Sequence, residues 1–240
     1  MSYLDHISSL NPPSYDAIRS LAMDDIKGKS SSKRDEVYHE LKRGTDIIDT
    51  HEQLCKYDWS FGKMHQAKLL DSFRQLDDSI FQNEIEIVDW GCGQAMCTIN
   101  LLDHLTDKVL LEAVKRVTLV EPSEVALKYA RSHVNCYLEE VEVITYSDFF
   151  ENLSAHQLSS SENRTVIHIF SNIIDVAQID LKHLSALIDK TVDSDNYLVC
   201  VGPLNPTNHR LDHFFNYFNN EKIEEIYQFE DANFEYSKKH

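Results

Sequence analysis

The sequence predicts an α/β protein in which a mostly parallel sheet carries helices on both faces. An apolar run over residues 85–88 passes directly into a glycine turn and then into a helix. A second apolar run, 117–120, ends in an acid and is followed by helix-start residues. Apolar runs that alternate with helices are typical of parallel sheets. A chain of 240 residues is long enough for one such domain with a full core.

A helical extension is predicted ahead of the sheet, over residues 1–83. Two prolines and a serine precede an amphipathic helix at Tyr15–Ile26, and a polar hinge follows at 28–33. Two further helices are expected between 36 and 76. They are separated by a predicted break near 57–62, where aromatic residues meet a glycine.

The turn after the first strand is the most informative segment of the chain. Asp89 lies where the strand ends, and Gly91 and Gly93 allow the backbone to turn tightly and to approach a ligand. A helix is expected over about 95–105, with its N-terminal N–H groups facing the same crevice. Open α/β sheets bind ligands in that crevice, at the carboxyl ends of the strands. The segment therefore predicts a small-molecule site.

Two common phosphate-binding motifs do not fit the chain. A dinucleotide fingerprint needs a small residue three positions after its second glycine, and that residue here is Met96. The small residue is Ala95, one position earlier, so the turn reads Asp-x-Gly-x-Gly-x-Ala. A phosphate-binding loop at residues 28–30 would need a glycine where Met23 stands.

Polar side chains also follow the later strands of the predicted sheet. Glu121 ends the second strand, 28 residues after Gly93, and an acid at this place can accept hydrogen bonds from two ribose hydroxyls. The third strand leads to Asp148 and Phe149, and the fourth leads to Ser171. Because parallel strands end at one edge of the sheet, these side chains are expected to lie close together.

The turn and the strand-end acids resemble motif I and its neighbouring strands in class I S-adenosylmethionine-dependent methyltransferases, with Ala95 in place of the motif's last glycine. The resemblance implies a Rossmann-like sheet of seven strands, mostly parallel with an antiparallel last strand, and S-adenosyl-L-methionine as the cofactor. In such enzymes an Asp at the third strand end meets the adenine amino group, and a neighbouring apolar residue packs on the ring. The residues expected to bind the cofactor are Asp89, Gly91, Cys92, Gly93, Glu121, Asp148, Phe149 and Ser171.

The remaining segments complete this sheet within a domain of residues 84–240. A fifth strand is predicted at 196–201, followed by an aromatic-rich helix at 211–218. Residues 222–229 and 233–238 have the pattern of a final hairpin.

Residues 57–65 have two interpretations. The segment is aromatic, contains Gly62 and lies just before the cofactor strand. In many class I methyltransferases a helix in this position folds over the cofactor as a lid. Tyr57, Gly62 and His65 would then be lid residues, and His65 is a candidate catalytic residue. The alternative is ordinary helix packing, and the sequence leaves the two open.

The acceptor side of the site is expected after the fourth strand. Asn172 and Asp175 lie beyond the strand end and are candidate catalytic residues, although solvated polar residues that open a loop fit the same pattern. His168 lies inside the strand and is interpreted as a buried core histidine rather than a base. Methyl transfer depends mainly on orientation and on exclusion of water, so no general base is assigned.

Charge and composition limit the classes of partner. The formal net charge of −17 opposes autonomous binding of nucleic acid, because phosphates are repelled. No apolar run approaches the length of a membrane helix. Five cysteines without paired spacing indicate a reducing, cytoplasmic location, and no Cys/His cluster has the spacing of a metal site.

The predicted function is transfer of a methyl group from S-adenosylmethionine to a protein or small-molecule acceptor. Two alternatives stay open. One is a cofactor-binding regulatory or pseudo-enzyme module of a larger complex. The other is a nucleic-acid methyltransferase that relies on a partner for binding. A protein partner fits both alternatives, and no direct membrane association is expected.

Overall fold

The computed structural model describes residues 2–26, 46–158, 164–191, 195–203 and 209–218. In chain order, its helices are α1 (Tyr3–Ser8), α2 (Tyr15–Ile26), α3 (His51–Phe73), α4 (Met96–Asp107), α5 (Glu124–Asn135), α6 (Ala155–Leu158), α7 (Leu181–Thr191) and α8 (Arg210–Tyr217). The strands are β1 (Ile85–Trp90), β2 (Val114–Val120), β3 (Glu142–Tyr146), β4 (Thr165–Ser171) and β5 (Asn196–Val201). Short 3-10 turns occupy Asp78–Gln82, Leu111–Ala113 and Phe150–Asn152.

The five strands of the described part form one parallel sheet in the order β3-β2-β1-β4-β5. At the carboxyl end of β1, Trp90 pairs with Val120 of β2 and with Phe170 of β4. The segments that follow these three strands therefore leave the sheet at the same edge. The predicted parallel α/β sheet is confirmed for five strands. The predicted last two strands, 222–229 and 233–238, lie outside the described residues.

Different helices cover the two faces of the sheet. On one face, Ile87 of β1 belongs to an apolar cluster with Leu101 of α4 and residues of α5. On the other face, Trp90 belongs to a cluster with Leu184 of α7 and Phe214 of α8. Successive strand residues point to opposite faces, so every residue of β1 is buried. This double burial explains why β1 has a nearly continuous apolar sequence.

The N-terminal helices pack on the start of α4 rather than on the sheet. Ile7 of α1 and Ile18 of α2 share an apolar cluster with Ile99 of α4. The second half of α3 instead joins the sheet core through Leu69 and Phe73. α3 therefore connects the N-terminal cluster to the sheet and passes near the carboxyl edge of the strands.

α3 is one continuous helix, so the predicted break near 57–62 is wrong. Gly62 is buried in the middle of α3, and its role is packing rather than bending. A Cβ at this position would lie 2.2 Å from the Tyr15 hydroxyl oxygen and 2.3 Å from Asp58 Oδ1. Glycine costs a helix interior roughly 1 kcal/mol relative to alanine. The helix bears this cost because a side chain at position 62 would prevent the close approach of α2 to α3.

Other boundaries agree with the sequence. α2 covers Tyr15–Ile26 and β5 covers Asn196–Val201, both as predicted. The polar hinge predicted at 28–33 and the first part of the segment 36–76 lie outside the described residues.

Candidate functional site

The turn after β1 contains three residues with left-handed backbones. The φ angles are +64° at Gly91, +53° at Gly93 and +62° at Ala95. A Cβ on Gly91 would lie 2.8 Å from Ile173 Cγ2, so glycine is needed there for close packing as well as for its backbone angle. A Cβ on Gly93 would meet nothing within 4 Å. The turn therefore leaves open space over Gly93, where a ligand can approach the backbone.

Glu121 holds this turn against the end of β2. One carboxylate oxygen accepts the Gly93 N–H at 3.0 Å, and the other accepts the Ser123 N–H at 2.9 Å. The Cys92 N–H also donates to the Val120 carbonyl at 3.0 Å. Burial raises the pKa of Glu121, while the two N–H bonds oppose that rise. Each carboxylate oxygen has a second lone pair, so Glu121 can also accept hydroxyl donors from a ligand.

Asp89 lies beneath the turn, and among the described residues only one of its two carboxylate oxygens has a hydrogen-bond partner. Its Oδ2 accepts the Thr98 hydroxyl at 2.6 Å. Its Oδ1 is buried and has no hydrogen-bond partner within the described part of the chain. Burial raises the pKa of Asp89 to about 7. An unsatisfied buried acceptor costs roughly 1–3 kcal/mol, so a ligand donor at Oδ1 would be stabilised.

The two cysteines of this region are packing residues. Burial raises the pKa of the Cys92 and Cys97 thiols well above the ordinary range. Thiolate is therefore scarce, and thiolate is the form that redox chemistry needs. The Cys92 thiol lies 3.5 Å from the Gly93 carbonyl oxygen, which places it inside the turn.

The end of β3 borders a cavity of about 460 Å³. Asp148 accepts the Phe149 N–H at 2.8 Å and the Asn152 side-chain amide at 2.6 Å, both with the same oxygen. The Phe149 ring is 53% exposed, so a face is available to a flat ligand. The cavity is lined by Ile47, Ile48, Asp49, Pro122, Ser123, Glu124, Val125 and Ser147.

The segment Ile47–Asp49, just before α3, forms one wall of this cavity. The Ser123 hydroxyl donates to the Ile48 carbonyl and ties that wall to the start of α5. Sequence reasoning missed this wall. The segment carries no motif, and its position depends on how α3 lies against α5.

One face of α3 forms a row of aromatic rings. The Tyr57 and Phe61 ring centroids are 5.2 Å apart, and Phe61 stacks on His65 at 6.1 Å. Burial raises the pKa of the Tyr57 hydroxyl, and the negative charges of Glu121 and Asp175 act in the same direction. Tyr57 therefore lies within electrostatic range of both the β2 end and the β4 end. Gly62 faces α2 and is not part of this row.

Lys68, one turn after His65, reaches the ends of β4 and β5. Its Nζ donates to Asn172 Oδ1 at 3.1 Å and to the Gly202 carbonyl at 3.3 Å. Asn172 has a left-handed backbone, with φ +59°. Asp175 Oδ1 is buried and has no hydrogen-bond partner among the described residues. The predicted acceptor-side residue Asn172 is therefore hydrogen-bonded to a lysine from α3 that sequence reasoning did not select.

Ser171 also lies at this edge. The Asn172 side-chain amide donates to the Ser171 hydroxyl at 3.1 Å. The Asn172 N–H donates to the Val201 carbonyl at 2.6 Å and keeps the β4 end against β5. Ser171 thus orients Asn172, whatever else it contacts.

His168 is a satisfied core histidine, as interpreted from the sequence. The Trp90 indole N–H donates to His168 Nδ1 at 3.1 Å, so the ring proton lies on Nε2 and is donated to Asn196 Oδ1 at 3.1 Å. Burial lowers the pKa of His168 to about 4. The neutral ring therefore packs between strands and is not available as a base at the site.

The described ranges, 2–26, 46–158, 164–191, 195–203 and 209–218, contain neither a membrane-spanning helix nor a metal-binding cluster. No helix there is long and apolar enough to cross a membrane. No group of three or more His, Cys, Asp or Glu side chains in those ranges could hold a metal ion.

The chain is similar to several solved structures at low sequence identity. The plantazolicin methyltransferase BpumL in complex with SAH is 15% identical, with a TM-score of 0.41 over 74% of this chain and 61% of BpumL. A SAM-dependent methyltransferase of Leishmania major is 12% identical, with a TM-score of 0.44 over 82% of this chain and 80% of that chain. The small RNA methyltransferase HEN1 is 16% identical, with a TM-score of 0.36 over 52% of this chain and 15% of HEN1.

Each of these three structures is named as a methyltransferase. No protein family model and no curated protein matches the chain.

Proposed function

We propose that the chain binds S-adenosylmethionine and transfers its methyl group to a protein or small-molecule acceptor. The observation that carries this proposal is the Glu121 carboxylate. One of its oxygens accepts a hydrogen bond from the N–H of Gly93, the glycine of the turn that has open space above it. The contact places a hydroxyl-accepting carboxylate beside a backbone that a ligand can approach, at the carboxyl edge of a parallel sheet.

The described residues fit this cofactor. Glu121 has lone pairs left for the two ribose hydroxyls. Asp89 Oδ1, buried without a partner, would accept from the amine of the methionine part. The adenine ring would lie toward the cavity beside Ser147, where the exposed face of Phe149 can pack on it. The bound cofactor would supply an electrophilic methyl group, which the protein must orient and shield from water.

The chain's own part in the reaction follows from α3. In this proposal the row of Tyr57, Phe61 and His65 covers the carboxyl edge of the sheet. The hydrogen bond from Lys68 to Asn172 holds α3 against the end of β4. In this proposal the extension of residues 1–83 closes the cofactor domain of residues 84–240. His65, Asn172 and Asp175 then face the acceptor.

Titration calorimetry tests the cofactor. S-adenosylmethionine and its demethylated product SAH are expected to bind, and NAD is not. Glu121→Gln keeps one acceptor oxygen but loses the charge, and charge-assisted hydrogen bonds contribute roughly 1.5–3 kcal/mol each. The affinity for SAH should fall by at least about tenfold in a variant that stays folded by circular dichroism. Binding of NAD without binding of SAH would overturn the proposal.

Turnover separates an enzyme from a regulatory module. Extracts incubated with isotopically labelled S-adenosylmethionine are expected to yield a labelled acceptor with the natural chain and clearly less of it with Glu121→Gln. Tight SAH binding together with no labelled product from protein, small-molecule or nucleic-acid fractions would favour the regulatory module.

A further inference from the structure

One peptide unit in the turn after β1, the unit that joins Gln94 to Ala95, is anchored at both of its polar ends. The Ala95 N–H donates to the Cys92 carbonyl at 2.7 Å, a bond made within the turn itself. The Gln94 carbonyl oxygen accepts from Nδ1 of His133 at 2.9 Å, and this histidine lies 39 residues away along the chain, on α5. The orientation of the peptide unit is therefore set in part by a side chain outside the turn.

The anchoring matters because Ala95 holds a left-handed backbone. Its φ angle is +62°, and a residue with a Cβ prefers the right-handed region. Rotation of the peptide unit would change ψ of Gln94 and φ of Ala95, and so relieve this strain. The same rotation would turn the Gln94 carbonyl away from His133, so the hydrogen bond from the histidine opposes it. A glycine, which the motif usually has at this position, would need no such support.

His133 is suited to this role because its ring is buried, neutral and held in one tautomer. A carbonyl oxygen can only accept, so the ring proton lies on Nδ1, which faces Gln94. Nε2 then carries the lone pair, and the hydroxyl of Tyr3 in α1 donates to it at 3.2 Å. Burial lowers the pKa of His133 to about 4, so the ring carries a single proton near neutral pH.

Helix α1 places Tyr3 by packing against α5. The centroid of the Tyr3 ring lies 5.4 Å from that of Tyr129 and 6.0 Å from that of His133, and both of these rings belong to α5. Ile7, one turn later in α1, is fully buried in the same apolar cluster. A continuous set of contacts therefore runs from α1 through His133 to the turn after β1.

We propose that His133 is a positioning residue of the cofactor site, which keeps the Gln94–Ala95 peptide unit in the orientation that binds S-adenosylmethionine. Tyr3 keeps His133 in the tautomer that can do so, which makes α1 part of the site although it does not touch the ligand. This inference rests on the proposed function. Gly93, whose backbone has open space over it, directly precedes the anchored peptide unit, so its own placement depends on the anchor.

A histidine that only fills the core would behave differently from one that supports a strained turn. Replacing a core residue lowers the stability of the whole fold, and relief of strain at Ala95 would not restore ligand binding. Replacing a supporting residue lets the turn relax, and removal of the Ala95 Cβ would restore binding without restoring the hydrogen bond. Ala95→Gly therefore separates the two roles.

Titration calorimetry with SAH compares four full-length chains: the natural one, His133→Leu, Ala95→Gly and the double variant. His133→Leu removes the donor at similar side-chain volume. It should weaken SAH binding by roughly fivefold or more, because the strained turn relaxes in the free protein. Ala95→Gly and the double variant should both bind SAH within about twofold of the natural chain, since glycine adopts the left-handed angle without support.

Three further variants test the hydrogen bonds one at a time. His133→Asn keeps an N–H near the position of Nδ1 and should retain most of the SAH affinity; it carries the test if circular dichroism shows that His133→Leu is unfolded. Tyr3→Phe lets His133 adopt the tautomer that cannot donate to Gln94, and it should weaken SAH binding by about two- to threefold. Tyr129→Phe is the matched control, because this hydroxyl of the same cluster makes no hydrogen bond to the described residues.

Hydrogen exchange gives a readout that needs no ligand. In His133→Leu the amide of Ala95, which is bonded to Cys92, should exchange faster relative to the amide of Val88 in β1. When Ala95→Gly is added, the amide at position 95 should be protected again.

Two results for His133→Leu would overturn the inference: natural SAH affinity, or an equal loss of affinity with and without Ala95→Gly. An unchanged exchange rate at Ala95 in His133→Leu would overturn it as well. Equal affinities of Tyr3→Phe and Tyr129→Phe would overturn the part assigned to α1. Failure of the natural chain to bind SAH would instead contradict the proposed function, and the exchange measurement would still test His133.

Discussion

Three residues of the turn after β1 share a left-handed backbone for different reasons. Gly91 has no space for a side chain, because Ile173 lies against it. Gly93 has space, and its glycine keeps the backbone open. Ala95 is fully buried at the start of α4 and accepts the strain, which is roughly 1–2 kcal/mol for a residue with a Cβ. The motif thus combines a glycine that packing requires with one that has open space over its backbone.

Alanine substitutions separate these two glycines. Gly93→Ala is expected to cost about 1–2 kcal/mol of stability from its backbone angle. It should also weaken SAH binding by at least tenfold, because the new methyl group fills the approach to the backbone. Gly91→Ala should destabilise more, since it adds a close contact with Ile173 to the same backbone strain. Urea denaturation and calorimetry on both variants measure the two effects. Equal SAH affinity for Gly93→Ala and the natural chain would remove Gly93 from the site.

A residue's place in the sequence decided which site residues could be predicted. Asp89, Gly93 and Glu121 stand at strand ends, where a local pattern marks them. Lys68 stands in the middle of a helix, with only His65 one turn before it as a signal. Its importance arises because α3 lies across the carboxyl edge, and no local pattern specifies that placement.

At the scale of elements, the limits of β5 and α2 were predicted correctly from the sequence, whereas the continuity of α3 was not. Strand β5 and helix α2 have apolar patterns bounded by turn residues, so their limits are local properties. The continuity of α3 is not local. Gly62 weakens the helical pattern, and the compensation comes from α2, whose Tyr15 packs against the position that a side chain would fill.

A double-variant cycle tests this account of Gly62. Gly62→Ala gains roughly 1 kcal/mol of helix propensity, yet it should lower the stability, because overpacking a buried position costs roughly 1–3 kcal/mol. Tyr15→Phe removes the hydroxyl that donates to Asp58 at 2.5 Å and frees that carboxylate to rotate. Gly62→Ala should therefore be less damaging in the Tyr15→Phe background. Additive effects in urea denaturation would mean that the contact is not what requires glycine.

The position proposed for α3, over the carboxyl edge of the sheet, gives a second prediction at this scale. If residues 57–65 close over the cofactor, their amide hydrogens should exchange more slowly when SAH is bound. Exchange in α7, on the opposite face of the sheet, is the internal reference and should not change. Equal exchange across 57–65 with and without SAH would reduce the segment to ordinary packing.

At the scale of the whole molecule, the buried carboxylates at the two ends of β1 differ in their partners. Glu86 is paired with Arg116 and, at 3.0 Å, with Arg164, so its charge is compensated within the protein. Asp89, three residues later on the same strand, has an oxygen without a partner among the described residues. A carboxylate with two charged partners and one with an oxygen that has no partner among the described residues thus lie at opposite ends of β1. The unsatisfied group lies where ligands of such sheets bind.

The buried titratable groups make stability depend on pH with opposing signs. Burial lowers the pKa of His133 and His168 to about 4. Their contribution is complete above the unfolded pKa of 6.5 and is lost as the pH falls toward 4. Burial raises the pKa of Asp58 to about 6 and of Asp89 to about 7. These carboxyls take up protons in the folded state over the same window, so acidification favours folding through them.

His168→Gln isolates one contribution, because the amide oxygen can accept from Trp90 and the amide nitrogen can donate to Asn196. The variant should be less stable than the natural chain at pH 7.5. The difference in the free energy of unfolding should shrink by about 2 kcal/mol at pH 5, since the variant no longer loses the histidine contribution. Urea denaturation at the two pH values measures this, with His183→Gln on the exposed face of α7 as the control. A difference that stays constant between pH 7.5 and 5 would mean that His168 becomes charged inside the fold, which the hydrogen bond that Trp90 donates to Nδ1 opposes.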